Sequence, residues 1–260
     1  MIRMMPTHEK QFLKLIDFVK QSKTSIFYKD IWNNTGHIKN IRDVPPVTVN
    51  NFIETPLNDR LYKNEKLFVK IIEKEEGSFL WARTLEDIGH EMYGVTECER
   101  PLVHFDSAHE SIEKSLWFYE NGILPLIGES NLSITAHVAT QYKIDAIVTE
   151  TKTLPLICES LAKTYPLKNI ENLVIIDTYF DIGFLQEYFS KTNVYLRLGL
   201  PETGVFASAN LQEKSAEFHV HRNYIVEKQD KLLITKLDIL PTPIIRYDTA
   251  LSSSFSFKEL

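Results

Sequence analysis

The spacing of apolar positions changes twice along the chain. After Thr7, which can cap a helix, Phe12, Leu15, Ile16 and Val19 recur at helical intervals while Lys10, Lys14 and Lys20 take the other side, so the opening segment is predicted as an amphipathic helix. Ser25-Ile26-Phe27-Tyr28 and Ile31-Trp32 form a second apolar cluster, closed by the turn residues Asn33-Asn34-Thr35-Gly36. Asp43-Val44-Pro45-Pro46 reads as a rigid break, and Val49 to Ile53 as the start of another short helix. Residues 1–65 are therefore expected to be a helical, loop-rich lead-in.

From Leu67 the texture becomes β-rich, first in Leu67 to Ile72 and, past Gly77, in Phe79-Leu80-Trp81. Short continuous apolar runs follow at Leu102 to Phe105, Ile123 to Ile127, Ile144 to Val148, Leu173 to Ile176 and Val194 to Leu198. Helical patterns at Ser111 to Tyr119, Ser133 to Tyr142 and Thr151 to Thr164 alternate with them, and another carries Phe184, Leu185, Tyr188 and Phe189. Strands that are apolar on both faces and alternate with helices predict an α/β fold with a layered, mainly parallel sheet across residues 66–198. Beyond Gly204 the pattern favours strands at Phe218 to His221, Tyr224 to Val226, Leu232 to Thr235 and Ile244 to Tyr247. Residues 199–250 are expected to form a small antiparallel β unit and 251–260 a tail, the whole being one domain.

Charge and composition narrow the function. A formal charge of −6 and a pI near 5.8 argue against a nucleic-acid surface, which needs a net basic face. Nine glycines in 260 residues is about 3.5%, half the usual share of ~7%. None forms a GxGxxG, and none is followed by Lys-Ser/Thr as a phosphate-binding loop requires. The pairs Gly89 with Gly94, Gly122 with Gly128 and Gly199 with Gly204 are the only close ones. Cys98 and Cys158 lack metal-ligand spacing and suit a reducing compartment. No apolar run approaches the ~20 residues that span a bilayer, so the expected setting is cytoplasmic, away from membranes.

Candidate chemistry is sparse. His219 and His221 would share a strand face, but two ligands do not make a metal site, and Cys98, Cys158 and His104 are too distant in sequence to complete one. His90-Glu91 are adjacent on a helix and do not face each other. No serine lies in a GxSxG context. Trp32, Trp81 and Trp117 read as packing residues. Arg246-Tyr247 could orient a ligand, or Arg246 could pair with Asp248 or Glu227. Glu202, in the turn Pro201-Glu202-Thr203-Gly204, is either a loop carboxylate or a group that handles cations.

Four stretches in order bear on that choice. Ser25-Ile26-Phe27-Tyr28-Lys29, Asp43-Val44-Pro45 through Phe52, Leu198-Gly199-Leu200-Pro201-Glu202-Thr203-Gly204, and Leu233-Ile234-Thr235 through Pro243-Ile244-Ile245-Arg246-Tyr247-Asp248-Thr249 resemble the adenylate-forming superfamily. The likeness is strongest to phenylacetate-coenzyme A ligases and acyl-protein synthetases, and the segment Phe218 to Glu227 looks like the hairpin between their last two motifs. The resemblance implies an N-terminal adenylate-forming domain that handles an acyl or aryl carboxylate. In it Glu202 would hold Mg²⁺ and ATP phosphate, with Gly199, Pro201, Thr203, Arg246 and Tyr247 lining the nucleotide site.

The departures are as informative. Where the family has a glycine-rich phosphate loop before a helix like Arg83 to Ile88, this chain has Glu75-Glu76-Gly77-Ser78-Phe79-Leu80-Trp81-Ala82, with two acidic residues and no lysine. Ile176-Asp177-Thr178-Tyr179 lacks the glycine of the adenine-facing turn, Leu251 stands at the ribose aspartate, and only nine residues follow for a lysine-bearing C-terminal domain. Three readings stay open: an active ligase using ATP and Mg²⁺, a degenerate relative that binds an acyl group or a protein partner, and a split enzyme completed by another chain. A homodimer or hetero-complex is expected.

Overall fold

The computed structural model describes residues 6–21, 27–28, 38–61, 68–92, 98–212, 217–238, 242–252 and 254–257. Ser25, Ile26, Lys29, the Ile31-Trp32 cluster, the Asn33 to Gly36 turn, Gly94 and the side chain of His90 lie outside them. The chain divides into two compact units, one of residues 1–84, 200–206 and 220–260, the other of 85–199 and 207–219.

The first unit opens with α1 (Pro6–Gln21), whose Phe12, Leu15, Ile16 and Val19 are all buried as their spacing requires. Two short helices, α2 (Val49–Glu54) and α3 (Leu57–Arg60), precede the hairpin of β1 (Phe68–Lys74) and β2 (Gly77–Arg83). The hairpin pairs Phe68 with Arg83 and closes at Lys74 with Gly77, leaving Glu75-Glu76 as its turn. Gly77 has φ +146°, a backbone region that side-chain-bearing residues rarely enter. Alternation sends Lys70, Ile72, Phe79 and Trp81 inward, whereas Val69, Ile71 and Leu80 face solvent. Phe52 anchors this core, stacking on Phe27 at 5.3 Å and touching Phe79, Trp81 and Tyr247.

Three antiparallel strands complete the unit: β10 (Tyr224–Lys228), β11 (Lys231–Lys236) and β12 (Tyr247–Ser252). The strand expected at Ile244 to Tyr247 is displaced. Ile244 and Ile245 are irregular, Arg246 adopts φ +48°, and the strand begins at Tyr247 and runs into the segment read as a tail. The Arg246 N–H donates to Thr235 Oγ1 rather than to a ladder carbonyl, so pairing starts one residue later.

The second unit supplies most of a seven-stranded sheet in the order β4-β3-β5-β6-β7-β8-β9. Its members are β3 (Pro101–Val103), β4 (Leu126–Ile127), β5 (Ala146–Thr149), β6 (Asn172–Asp177), β7 (Asn193–Leu200), β8 (Gly204–Asn210) and β9 (His219–Val220). The pairs β3-β4, β3-β5, β5-β6 and β6-β7 are all parallel, as the continuous apolar runs predicted. The intervening helices are α4 (Leu85–Met92), α5 (Ala108–Glu120), α6 (Leu132–Tyr142), α7 (Leu154–Ala162) and α8 (Ile182–Tyr188). β8 returns beside β7 after a three-residue turn, with the Leu211 N–H donating to the Val194 carbonyl, and is antiparallel. The β-rich end is therefore not one unit, because β8 and β9 extend the large sheet and only β10 to β12 form the small one.

Candidate functional site

The turn joining β7 to β8 is held from several directions. Thr203 Oγ1 donates to the Gly204 carbonyl at 2.8 Å, and the Tyr224 hydroxyl donates to the Thr203 carbonyl at 2.8 Å. Gly204, at φ +71°, makes the left-handed bend that lets β8 start. Between them Glu202 is buried, its side chain 1% exposed. Its Oε1 accepts from the Tyr247 hydroxyl at 2.6 Å and lies 2.8 Å from the Lys74 ammonium. Its Oε2 is buried with no hydrogen-bond partner.

Tyr247 is a committed donor. Burial, reinforced by the Glu202 charge and the hydrogen bond to it, drives the phenol well above its ordinary range, so the proton stays on the tyrosine. Arg246, by contrast, points away from Glu202's partners. Its Nε and Nη2 grip Glu227 at 2.9 and 3.2 Å, and Nη1 donates to the Val44 carbonyl. Of the predicted site residues, Glu202, Thr203 and Tyr247 are thus brought together, Pro201 is exposed in the same turn, and Gly199 is buried in β7. Arg246 braces Val44 and Glu227 instead.

Lys74 went unnoticed in the sequence because it sits one residue ahead of the Glu75 to Ala82 segment. Only the hairpin register shows that it falls on the inward face, in step with Ile72 and Lys70.

These residues fit Mg²⁺ and a nucleotide triphosphate poorly. One of the two Glu202 oxygens already faces an ammonium and a phenol, leaving only Oε2 for a metal, the β1-β2 connection is a two-glutamate turn with no backbone cradle, and half-buried Leu251 in β12 cannot accept from a ribose.

A second group of polar side chains lies at the carboxyl ends of the parallel strands. The connection from β3 leads to β4 on one side, and the connections from β5 and β6 lead the other way, which places a topological switch point between β3 and β5. His104, just past β3, is buried, with Nδ1 unpartnered and its ring against Gly128, where an added Cβ would come within 2.3 Å. Past β5, Glu150 accepts from the Asp106 N–H at 2.7 Å and Lys152 pairs with Asp106 at 2.9 Å. The Lys152 hydrogen bond keeps Asp106 below the usual carboxylate range. Asp177 at the end of β6 accepts from the Thr151 and Thr178 N–H groups. Beside these lies a cavity of about 490 Å³ floored by Leu154, Ile175 and Leu185 and rimmed by Glu150, Asp177 and Tyr179.

The remaining candidates do not assemble. Among the described residues no group of three His, Cys, Asp or Glu side chains is placed to share a metal. Glu91 is buried against Lys114, which also approaches Glu113 at 3.4 Å. Cys158 is buried in α7, and desolvation pushes its thiol up to about 12. No helix among the described residues is long and apolar enough to cross a membrane.

No protein-family model matches the sequence, and no curated protein matches it. Solved structures do resemble the fold. An open conformation of 2-hydroxyisobutyryl-CoA ligase in complex with 2-HIB-AMP and CoA superposes with a TM-score of 0.75 at 11% identity, covering 93% of this chain and 67% of that one. The same ligase in its postadenylation state with 2-HIB-AMP gives 0.74 at 12%, covering 95% and 63%. The N-terminal subdomain of Klebsiella oxytoca NpsA with anthranilyl-AMSN gives 0.50 at 14%, covering 66% and 51%. The chain thus spans about two thirds of the length of the ligase it resembles. At these identities the likeness establishes the fold alone: a mixed α/β architecture like that of 2-hydroxyisobutyryl-CoA ligase.

Proposed function

We propose that this protein uses an adenylate-forming fold to bind an acyl or aryl carboxylate, or a protein partner carrying one, without activating the carboxylate through ATP. The observation that carries the reading is the Glu202 carboxylate, already neutralised by Lys74 at 2.8 Å and bonded to Tyr247. The acidic two-residue hairpin turn supports it, because Glu75 and Glu76 repel a triphosphate. The fold match to a ligase crystallised with an acyl-adenylate and CoA supports the acyl half of the proposal, and the cavity at the carboxyl end of β5 and β6 gives such a group room. The competing reading, an active ligase or one completed by a separate lysine-bearing chain, draws on the unpartnered Glu202 Oε2, a free acceptor in a buried place.

The deciding experiment is incorporation of labelled pyrophosphate into ATP across a panel of acyl and aryl acids, with Glu202→Gln as control. In parallel, thermal shifts are read with ATP, AMP, CoA and the same acids. The expected result is no exchange above the control and a raised Tm with a carboxylate or an acyl-adenylate analogue. Exchange by the wild type that vanishes in Glu202→Gln would establish the ligase reading. No shift with any acid would remove the acyl-binding one.

A further inference from the structure

The hairpin register, the burial of Glu202 and the distances around it converge on Lys74. It is the last residue of β1, tied through Gly77 to the start of β2 by a two-residue connection, so its Cα has little room to withdraw. The pleat sends its side chain to the same side as buried Ile72 and Lys70, while Glu73 and Ile71 take the solvent face. Three carboxylates, Glu73, Glu75 and Glu76, stand next to it in sequence and are exposed. The ammonium nevertheless pairs with Glu202, 128 positions away, at 2.8 Å.

We infer that Lys74 is the resident cation of the Glu202 carboxylate, occupying the place of a divalent ion and setting the site's specificity against metals. Glu202 itself is matched by one ammonium and one neutral phenol, so the carboxylate's own charge is already met, while the other carboxylates felt by Tyr247, Glu76 and Asp248, are exposed or half-buried and outside that contact. Glu202 Oε2 then accepts only from a neutral donor such as a hydroxyl or an amide N–H. This inference rests on the same Lys74–Glu202 pair as the proposed loss of ATP activation, and a metal titration without nucleotide or acid separates its failure from the failure of acyl binding.

Two measurements on the 260-residue chain test it. In the first, Mn²⁺ without nucleotide is titrated into wild type, Glu202→Gln and Lys74→Met, and bound ion is read by electron paramagnetic resonance. Wild type and Glu202→Gln are expected to bind equally weakly, and Lys74→Met at least tenfold more tightly, with Lys74→Gln repeating that arm should the methionine variant aggregate. In the second, ¹⁵N-lysine resonances report the Lys74 ammonium. Its protons are expected to exchange with water at least tenfold more slowly in wild type than in Glu202→Gln. Wild-type Mn²⁺ binding that Glu202→Gln abolishes would overturn the inference. So would a Lys74 variant with no gain in affinity, or an ammonium signal that Glu202→Gln leaves unchanged.

Discussion

Arg60 shows how far a single residue can depart from the rule that buried charges are paired. It is 1% exposed. Its Nε donates to the Thr55 carbonyl at 3.0 Å and its Nη2 to the Leu80 carbonyl at 2.7 Å. Its guanidinium lies 5.6 to 5.8 Å from the rings of Phe52, Phe79 and Trp81, while Nη1 has no partner. Ring faces and carbonyl dipoles replace a carboxylate. Burial holds the guanidinium at about 10, below its ordinary value. The unfolded chain therefore binds more protons from pH ~10 upward, the cost of the charge is fully present at neutral pH, and it is relieved only as pH rises through that range. Arg60→Ala, which empties the aromatic box, should lose about 3–4 kcal/mol. Arg60→Met keeps the rings packed but strands two carbonyls, and should lose about 1–2 kcal/mol. Urea denaturation of the two variants checks the ordering, and equal losses would show that packing contributes nothing.

At the scale of elements, the carboxyl ends of β3 and β4 depend on a missing side chain. Gly128 follows β4 and donates its N–H to the Val103 carbonyl at 2.9 Å, which brings its Cα against the His104 ring. A methyl group there meets Nδ1 at 2.3 Å, so either the imidazole rotates out or β4 peels from β3. Gly128→Ala should lower stability by about 1–3 kcal/mol and shift the His104 ring resonances. A variant with unchanged melting and an unmoved histidine spectrum would show that His104 is not seated as described. Gly122 has open space around it but φ +76°, so Gly122→Ala reports backbone strain without a clash and serves as the contrast.

Across the whole molecule, the first unit is assembled from three stretches of chain. The rings of Phe52, Phe79 and Trp81 are covered by Ile225, Ile244, Ile245 and Tyr247, contributed from far downstream. Such closure has to wait until distant segments meet, which slows folding. Residues 1–84 expressed alone should therefore lack a cooperative melting transition by circular dichroism, whereas the full chain should show one. A sharp transition in the fragment would place the core within the first 84 residues.

Part of this organisation was legible in the sequence. Val148, Val174 and Leu196 lie in runs apolar on both faces, and only strands covered on both sides need that. The Glu202 turn was visible too, through its proline and glycine. Lys74 was not, because its role depends on a cross-strand register that places an ordinary-looking surface lysine inward. The β12 strand was misplaced because Ile244 and Ile245 carry strand composition while the bend at Arg246 has no compositional mark.

The Lys74-Glu202 contact has an evolutionary consequence. Losing the lysine alone strands a buried carboxylate, and losing the glutamate alone strands an ammonium that is only 23% exposed. Removing one partner of such a buried pair typically costs about 3–5 kcal/mol, and somewhat less where one side is partly wet. Each first step is therefore penalised, and only the double exchange is close to neutral. Positions 74 and 202 form an epistatic lock, and descendants of this chain should keep both residues or change both together.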